Sequence, residues 1–120
     1  MEVTFEDNGS PLKKSKNRHG ETSKEQLRRM CKSIAEEITD GGQIGGAYDW
    51  MEKVYDIRYI VDREKRYYSA EMMVAGGGPT IWVSLNEMEV QGYWGGDKVT
   101  EPFIDNLGLD DYCEEQYNCS

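Results

Sequence analysis

The sequence predicts an α+β fold: an N-terminal amphipathic helix, a four-stranded antiparallel β meander and a C-terminal acidic helix. Three patterns carry that expectation. Apolar residues from Leu27 to Ile38 recur at helical spacing. From Val54 to Tyr93, apolar and polar residues alternate in runs broken by charged or glycine-rich stretches. From Leu109 onward the helical spacing returns, with acids on the outer side.

A chain of 120 residues fits one domain by the usual size relation. Apolar residues make up 38%, and eight Tyr and three Trp supply large buried area within that share. Residues 1–22 are expected to form a flexible tail, since Gly9, Ser10 and Pro11 break any periodicity and KKSKNRH is polar throughout. Residues 23–120 then form a single α+β domain.

Thr22 or Ser23 is expected to begin the first helix, with Ser23 and Gln26 at capping-box spacing. Leu27, Met30, Cys31, Ile34, Ala35 and Ile38 form its apolar stripe. Asp40-Gly41-Gly42 ends it, because glycine tolerates the left-handed conformation of a C-cap. GGQIGG, residues 41–46, reads as a linker; no Gly-Lys-Ser/Thr follows it, so it lacks the phosphate-cradling motif. Residues 47–51 can form one helical turn that plugs the core with Trp50.

Strand signals begin at Val54, with Tyr55, Ile57, Tyr59 and Val61 on one face. A charged loop, residues 62–66, returns the chain into a run from Tyr67 to Ala75 with Tyr68, Ala70, Met72 and Val74 together. Residues 75–97 read as a hairpin fenced by glycines. A two-residue turn at Asn86-Glu87 pairs Val83 with Val90 and Ile81 with Gly92. Pro79, which has no N–H, belongs at a strand's first position or on an edge. The hairpin's other face carries Trp82, Ser84, Glu89, Gln91 and Tyr93. Beyond Asp97 the reading is a short extended piece, then Pro102 opening a helical turn with Phe103, Ile104 and Leu107. Asp110 is expected to cap a last helix, residues 110–118, with Leu109, Tyr112, Cys113 and Gln116 facing inward.

The net charge is −9, and it is unevenly spread. Residues 67–120 hold ten acids and one base, Lys98, while the rest of the chain is balanced to within a charge or so. Direct nucleic-acid binding by that half would meet repulsion from phosphates, whereas a basic protein surface would be attracted. No apolar run approaches the length of about 18 residues that a membrane helix needs. The N-terminus lacks the apolar core of a secretory signal. Three cysteines without CxxC spacing suit a reduced, cytoplasmic setting.

Chemistry needing a structured histidine is not expected, because the one histidine, His19, lies in the tail segment. Three unspaced cysteines do not make a zinc site, and no shaped loop gathers oxygen ligands for a hard cation. No catalytic residue, metal or other cofactor is therefore expected. Recognition remains. The candidate partner-binding residues are Asp105, Asp110, Asp111, Glu114 and Glu115 near the C-terminus, with Glu87, Glu89, Trp82 and Tyr93 on the hairpin. Trp94, Tyr112 and Tyr117 are further aromatic candidates. Aromatics anchor an interface centre and acids steer a basic partner toward it.

The segment GGGPTIWVSLNEMEVQGYWGGD followed by LGLDDYCEEQYN resembles small acidic proteins encoded by prophages and conjugative elements of Gram-positive gut bacteria. Such elements carry anti-CRISPR and anti-restriction proteins, several of which mimic the charge of DNA. The resemblance implies an inhibitor acting in the host bacterial cytoplasm. Its target would be a basic nucleic-acid-binding protein, either a CRISPR effector nuclease or a restriction enzyme. Two other readings stay open: an immunity or antitoxin-type module that blocks a basic partner, and a small enzyme. A fourth is that the acidity serves solubility alone.

Overall fold

The computed structural model describes residues 22–41 and 46–119; the expected tail over residues 1–22 lies outside them except for Thr22, as does most of the glycine linker. Helix α1 spans Ser23–Asp40, α2 Gly46–Trp50, with a 3-10 turn at Met51–Lys53. Five strands follow: β1 Asp56–Val61, β2 Tyr67–Ala75, β3 Thr80–Ser84, β4 Glu89–Trp94 and β5 Asp97–Pro102. Helix α3, Leu109–Cys119, ends the chain's described part. The strands pair antiparallel in chain order, β1-β2-β3-β4-β5.

The α+β class and the meander agree with the sequence, but the sheet has five strands rather than four. The extra strand is β5, which pairs along its whole length with β4. Pro102 closes that strand instead of opening a helix, and no helix forms between it and α3. Its missing N–H costs nothing at the end of an edge strand.

Helix α1 begins at Ser23, one of the two expected starts, but its capping box is Thr22 with Glu25 and not Ser23 with Gln26. Thr22 is the N-cap: the Glu25 N–H donates to Thr22 Oγ1 at 3.1 Å, and the Thr22 N–H donates to Glu25 Oε1 at 2.9 Å. Two of the orphan donors of the first turn are thereby satisfied. Gly41 ends the helix at φ 63°. A side chain there would also collide with Asn106, whose backbone oxygen lies 2.6 Å from the Cβ position. Asn106 Nδ2 donates to the Thr39 carbonyl at 2.6 Å, and the Ile104 N–H donates to Thr39 Oγ1 at 3.0 Å. The end of α1 is thus tied to the segment that leads into α3.

The β3–β4 register pairs Val83 with Val90 and Ile81 with Gly92, as the cross-strand pattern requires. The connection is longer than expected, a four-residue turn over Leu85–Met88. Ser84 Oγ accepts the Glu87 N–H at 3.1 Å, and Met88 sits at φ 56°. Leu85 stays in the core, while Met88 turns outward.

Both long helices lie on one face of the sheet. Helix α1 packs on β4 and β5, and α3 packs on β2. Leu27, Cys31 and Ile38 of α1, Leu109 and Cys113 of α3, and Met72, Ile81, Val83 and Val90 of the sheet are all fully buried in one cluster. Gly92 lies under α1: a Cβ would stand 2.5 Å from Cys31 Sγ and 2.8 Å from Leu27 Cδ1. Trp50 is completely buried, as expected for a plug, and its indole N–H donates to Glu37 Oε1 at 3.1 Å. Lys53 Nζ donates to the same oxygen at 2.6 Å, so one carboxylate closes the end of this layer. Gln116, expected to face inward on the last helix, is exposed. Tyr55, Val61 and Tyr68 are exposed too, while their expected face-mates Ile57, Tyr59, Ala70 and Met72 are partly or fully buried. Register shifts, between Ile60 and Val61 and between Met73 and Ala75, break the alternation in β1 and β2.

Candidate functional site

Helix α3 carries four of the candidate acids, and Asp105 lies just before it. Asp105 caps it: Oδ1 accepts the Leu109 N–H at 2.8 Å and Oδ2 accepts the Asp110 N–H at 2.9 Å. The capping residue is thus Asp105 and not Asp110, and the helix begins at Leu109. Asp110 instead accepts the Tyr67 hydroxyl, Oη to Oδ1 at 2.7 Å. Burial, then that hydrogen bond and the Asp110 charge, raise the Tyr67 phenol well above its ordinary range. Tyr67 is therefore a neutral donor at any physiological pH.

The remaining acids of α3 face solvent. Asp111, Glu114 and Glu115 are exposed, and no Lys or Arg among the described residues bridges to them. Their position is fixed from below and from both ends. Cys113 Sγ sits 3.8 Å from Met72 Sδ in the core. The Tyr117 hydroxyl donates to the Lys65 carbonyl at 2.6 Å. Tyr117 also packs on Tyr59, with ring centroids 5.2 Å apart. Burial, followed by the charges of Asp110 and Asp105, pushes the Cys113 thiol up to about 12. It is a core group and not a nucleophile.

Glu87 belongs to the same end of the molecule. Asn86 and Met88 of its turn line a cleft together with Asp105 and Asp110. The structure thus brings the turn that carries Glu87 beside Asp105 and Asp110. It does not bring Trp82, Tyr93 and Glu89 there. Those three lie on the other face of the sheet, away from both long helices.

That face is mixed in charge. Arg58 stacks over the Trp82 ring, 4.4 Å to its centroid, and Lys98 stands 5.7 Å over Tyr93. Gln91 Nε2 donates to Glu89 Oε2 at 2.8 Å. An aromatic face with its own cations is a poor counterpart for a basic partner. Arg58 was not legible as a member of this group, because it comes from β1 and reaches Trp82 of β3 across β2. Trp94 packs against the core, and Tyr112 is half-buried.

Among the described residues no group of three His, Cys, Asp or Glu side chains converges on one point. No helix among them is long and apolar enough to cross a membrane. Compared with protein-family models, with curated proteins and with solved structures, the chain matches none.

Proposed function

We propose that this chain is a protein-binding module that presents the outer face of α3 to a basic, nucleic-acid-handling surface. The target class that suits it best is a nuclease of bacterial defence, a CRISPR effector or a restriction enzyme, blocked by mimicry of DNA charge. The observation that carries the reading is the array of Asp111, Glu114 and Glu115, exposed and unbridged among the described residues, on a helix held by core and end contacts. Carboxylates about one helical turn apart, roughly 5.4 Å along the axis, then meet the partner in a fixed geometry. A helix already held in place does not have to be ordered when the partner binds. A Lys/Arg channel built to neutralise phosphates would accept such a face.

The test is binding to a purified defence nuclease in low and in high salt, with competing DNA as a control. Exposed charges are screened beyond about 8–10 Å at physiological salt, so affinity should fall several-fold as salt rises. Asp111→Asn, Glu114→Gln and Glu115→Gln together should weaken it about tenfold or more. Equal binding at both salt levels, or no effect of the triple variant, would leave the acidity to solubility alone.

A further inference from the structure

A groove runs between β1 and α3 on the helix-bearing side of the sheet, with a volume of about 450 Å³. Ile57 and Tyr59 of β1 form one bank, Tyr112 and Gln116 of α3 the other, and Met51 and Val54 line it as well. The bank formed by β1 is one of the sheet's two edges among the described residues. Every second residue of an edge strand turns its N–H and C=O away from the neighbouring strand. An edge beside a groove is the arrangement that receives an extended segment: the backbone pairs with the edge and alternate side chains drop into the groove.

The chemistry of the groove selects the occupant. Tyr55, 75% exposed, stands at its mouth. Asp56 lines it, and Glu52 neighbours Met51 in the preceding turn. Across the groove, Asp111 and Glu115 precede Tyr112 and Gln116 on α3. No Lys or Arg lines it. The nearby Lys53 is taken by Glu37, and Arg58 stacks on Trp82 at the opposite face. Lysine and arginine stems can lie along tyrosine rings while their heads reach the carboxylates. The other sheet edge, β5, ends in Pro102, and the hollow beside it holds Lys32 together with Glu36 and Asp40. That edge offers neither a continuous ladder nor one sign of charge.

We infer that the β1 edge and the β1–α3 groove form a strand-addition site for an extended, basic segment of a partner protein. This deepens the proposed function, on which it rests for the partner's charge: α3 acids would steer the partner and the β1 edge would seat one of its segments.

The experiment uses the full chain and a ten-residue peptide of alternating lysine and valine, followed by amide hydrogen exchange and NMR. Peptide binding should slow exchange at the outward amides of Asp56–Val61 and shift the Tyr112 and Gln116 signals. Tyr55→Ser and Gln116→Arg, both at exposed positions, should each weaken binding about fivefold or more. Shifts confined to the outer face of α3 or to the Leu85–Met88 turn, with β1 unchanged, would overturn the site. So would β1 amides already protected in the free chain and released by Lys13→Gln, Lys14→Gln, Lys16→Gln and Arg18→Gln together, since the occupant would then be this chain's own N-terminal segment. Protection of β1 that grows with protein concentration would overturn it in favour of a second copy. If nuclease binding is lost in the α3 triple variant but unaffected by Tyr55→Ser and Gln116→Arg, the strand-addition site falls and the proposed function stands. If the peptide seats on β1 while nuclease binding survives the α3 triple variant, strand addition stands and the charge-based function falls.

Discussion

Gly92 lies directly beneath Cys31, so close that a Cβ on the glycine would stand 2.5 Å from the thiol sulfur. Strand β4 has no side chain at that point, so the Cys31 and Leu27 side chains of α1 rest on its backbone. Both Cys31 and the neighbouring Leu27 are fully buried, so neither has solvent to move into.

Gly92→Ala should therefore destabilise the fold. An alanine would gain about 0.5 kcal/mol by restricting the unfolded chain. Overpacking a closed core costs about 1–3 kcal/mol, so the cost wins. Urea denaturation should show a lower midpoint with an unchanged slope. Adding Cys31→Ala should recover part of the loss, giving a coupling of about 1 kcal/mol in a double-mutant cycle.

The acids of α3 should separate into two classes. Asp105→Ala removes the acceptor of two backbone N–H groups and should cost about 1–2 kcal/mol, read as a lower thermal midpoint and weaker helical circular dichroism. Asp111→Asn, Glu114→Gln and Glu115→Gln touch no such contact and should leave stability within about 0.5 kcal/mol of the starting protein. Any loss of partner binding in that triple variant then reports on charge and not on unfolding.

The two faces of the sheet can be set against each other. Trp82→Ala removes the ring under Arg58 on the face opposite α3. Trp82 is half-buried, so the variant loses the ring's buried area as well as a cation–π pair worth about 0.5–1 kcal/mol, and a measurable loss of stability is expected. Binding of a basic partner should be unchanged in a titration that the α3 triple variant fails. A loss in Trp82→Ala with none in the α3 triple variant would place the contact on the hairpin face.

Burial pushes the Cys31 thiol up to about 11 and the Cys113 thiol up to about 12, from an ordinary 9.0. Nearby acids add to this, Glu101 at Cys31 and Asp110 and Asp105 at Cys113. The folded protein then holds protons that the unfolded chain releases above its ordinary thiol range. This contribution to stability is complete below pH 9.0 and is lost as pH rises toward 11–12. The urea midpoint should be flat near neutral pH and fall in the alkaline range. Under native conditions a thiol reagent should modify the exposed Cys119 quickly and the two buried cysteines only after denaturant is added.

The elements that the sequence revealed are those whose apolar residues repeat. Leu27, Cys31, Ala35 and Ile38 mark one stripe, and the pairing of Val83 with Val90 fixes a register from both strands at once. Strand β5 was hidden because Val99 is its one buried residue, and a single apolar position has no period. Pro102 then suggested a helix start, since proline suits both a first helical turn and the end of an edge strand. The candidate surface was divided for a different reason. Spacing shows which residues share a side of α3 and which share a side of the hairpin. It does not say which side of the sheet α3 will cover, and that choice separates Glu115 from Trp82. Tyr67 and its bond to Asp110 were equally invisible, because the two residues meet only after the sheet and α3 have docked.

Thr39 and its two hydrogen bonds to Ile104 and Asn106 bear on the order of folding. The partners are 65 and 67 residues apart, with the entire sheet between them. Early in folding, the first turn of α1 has its own cap, but the last turn has no partner for the Thr39 side chain. Those bonds must wait for a long loop closure. The helix can therefore nucleate at Thr22 while its far end stays frayed until β5 is in place. One threonine thus makes completion of the first element depend on arrival of the last strand, which favours an all-or-none transition over stepwise assembly.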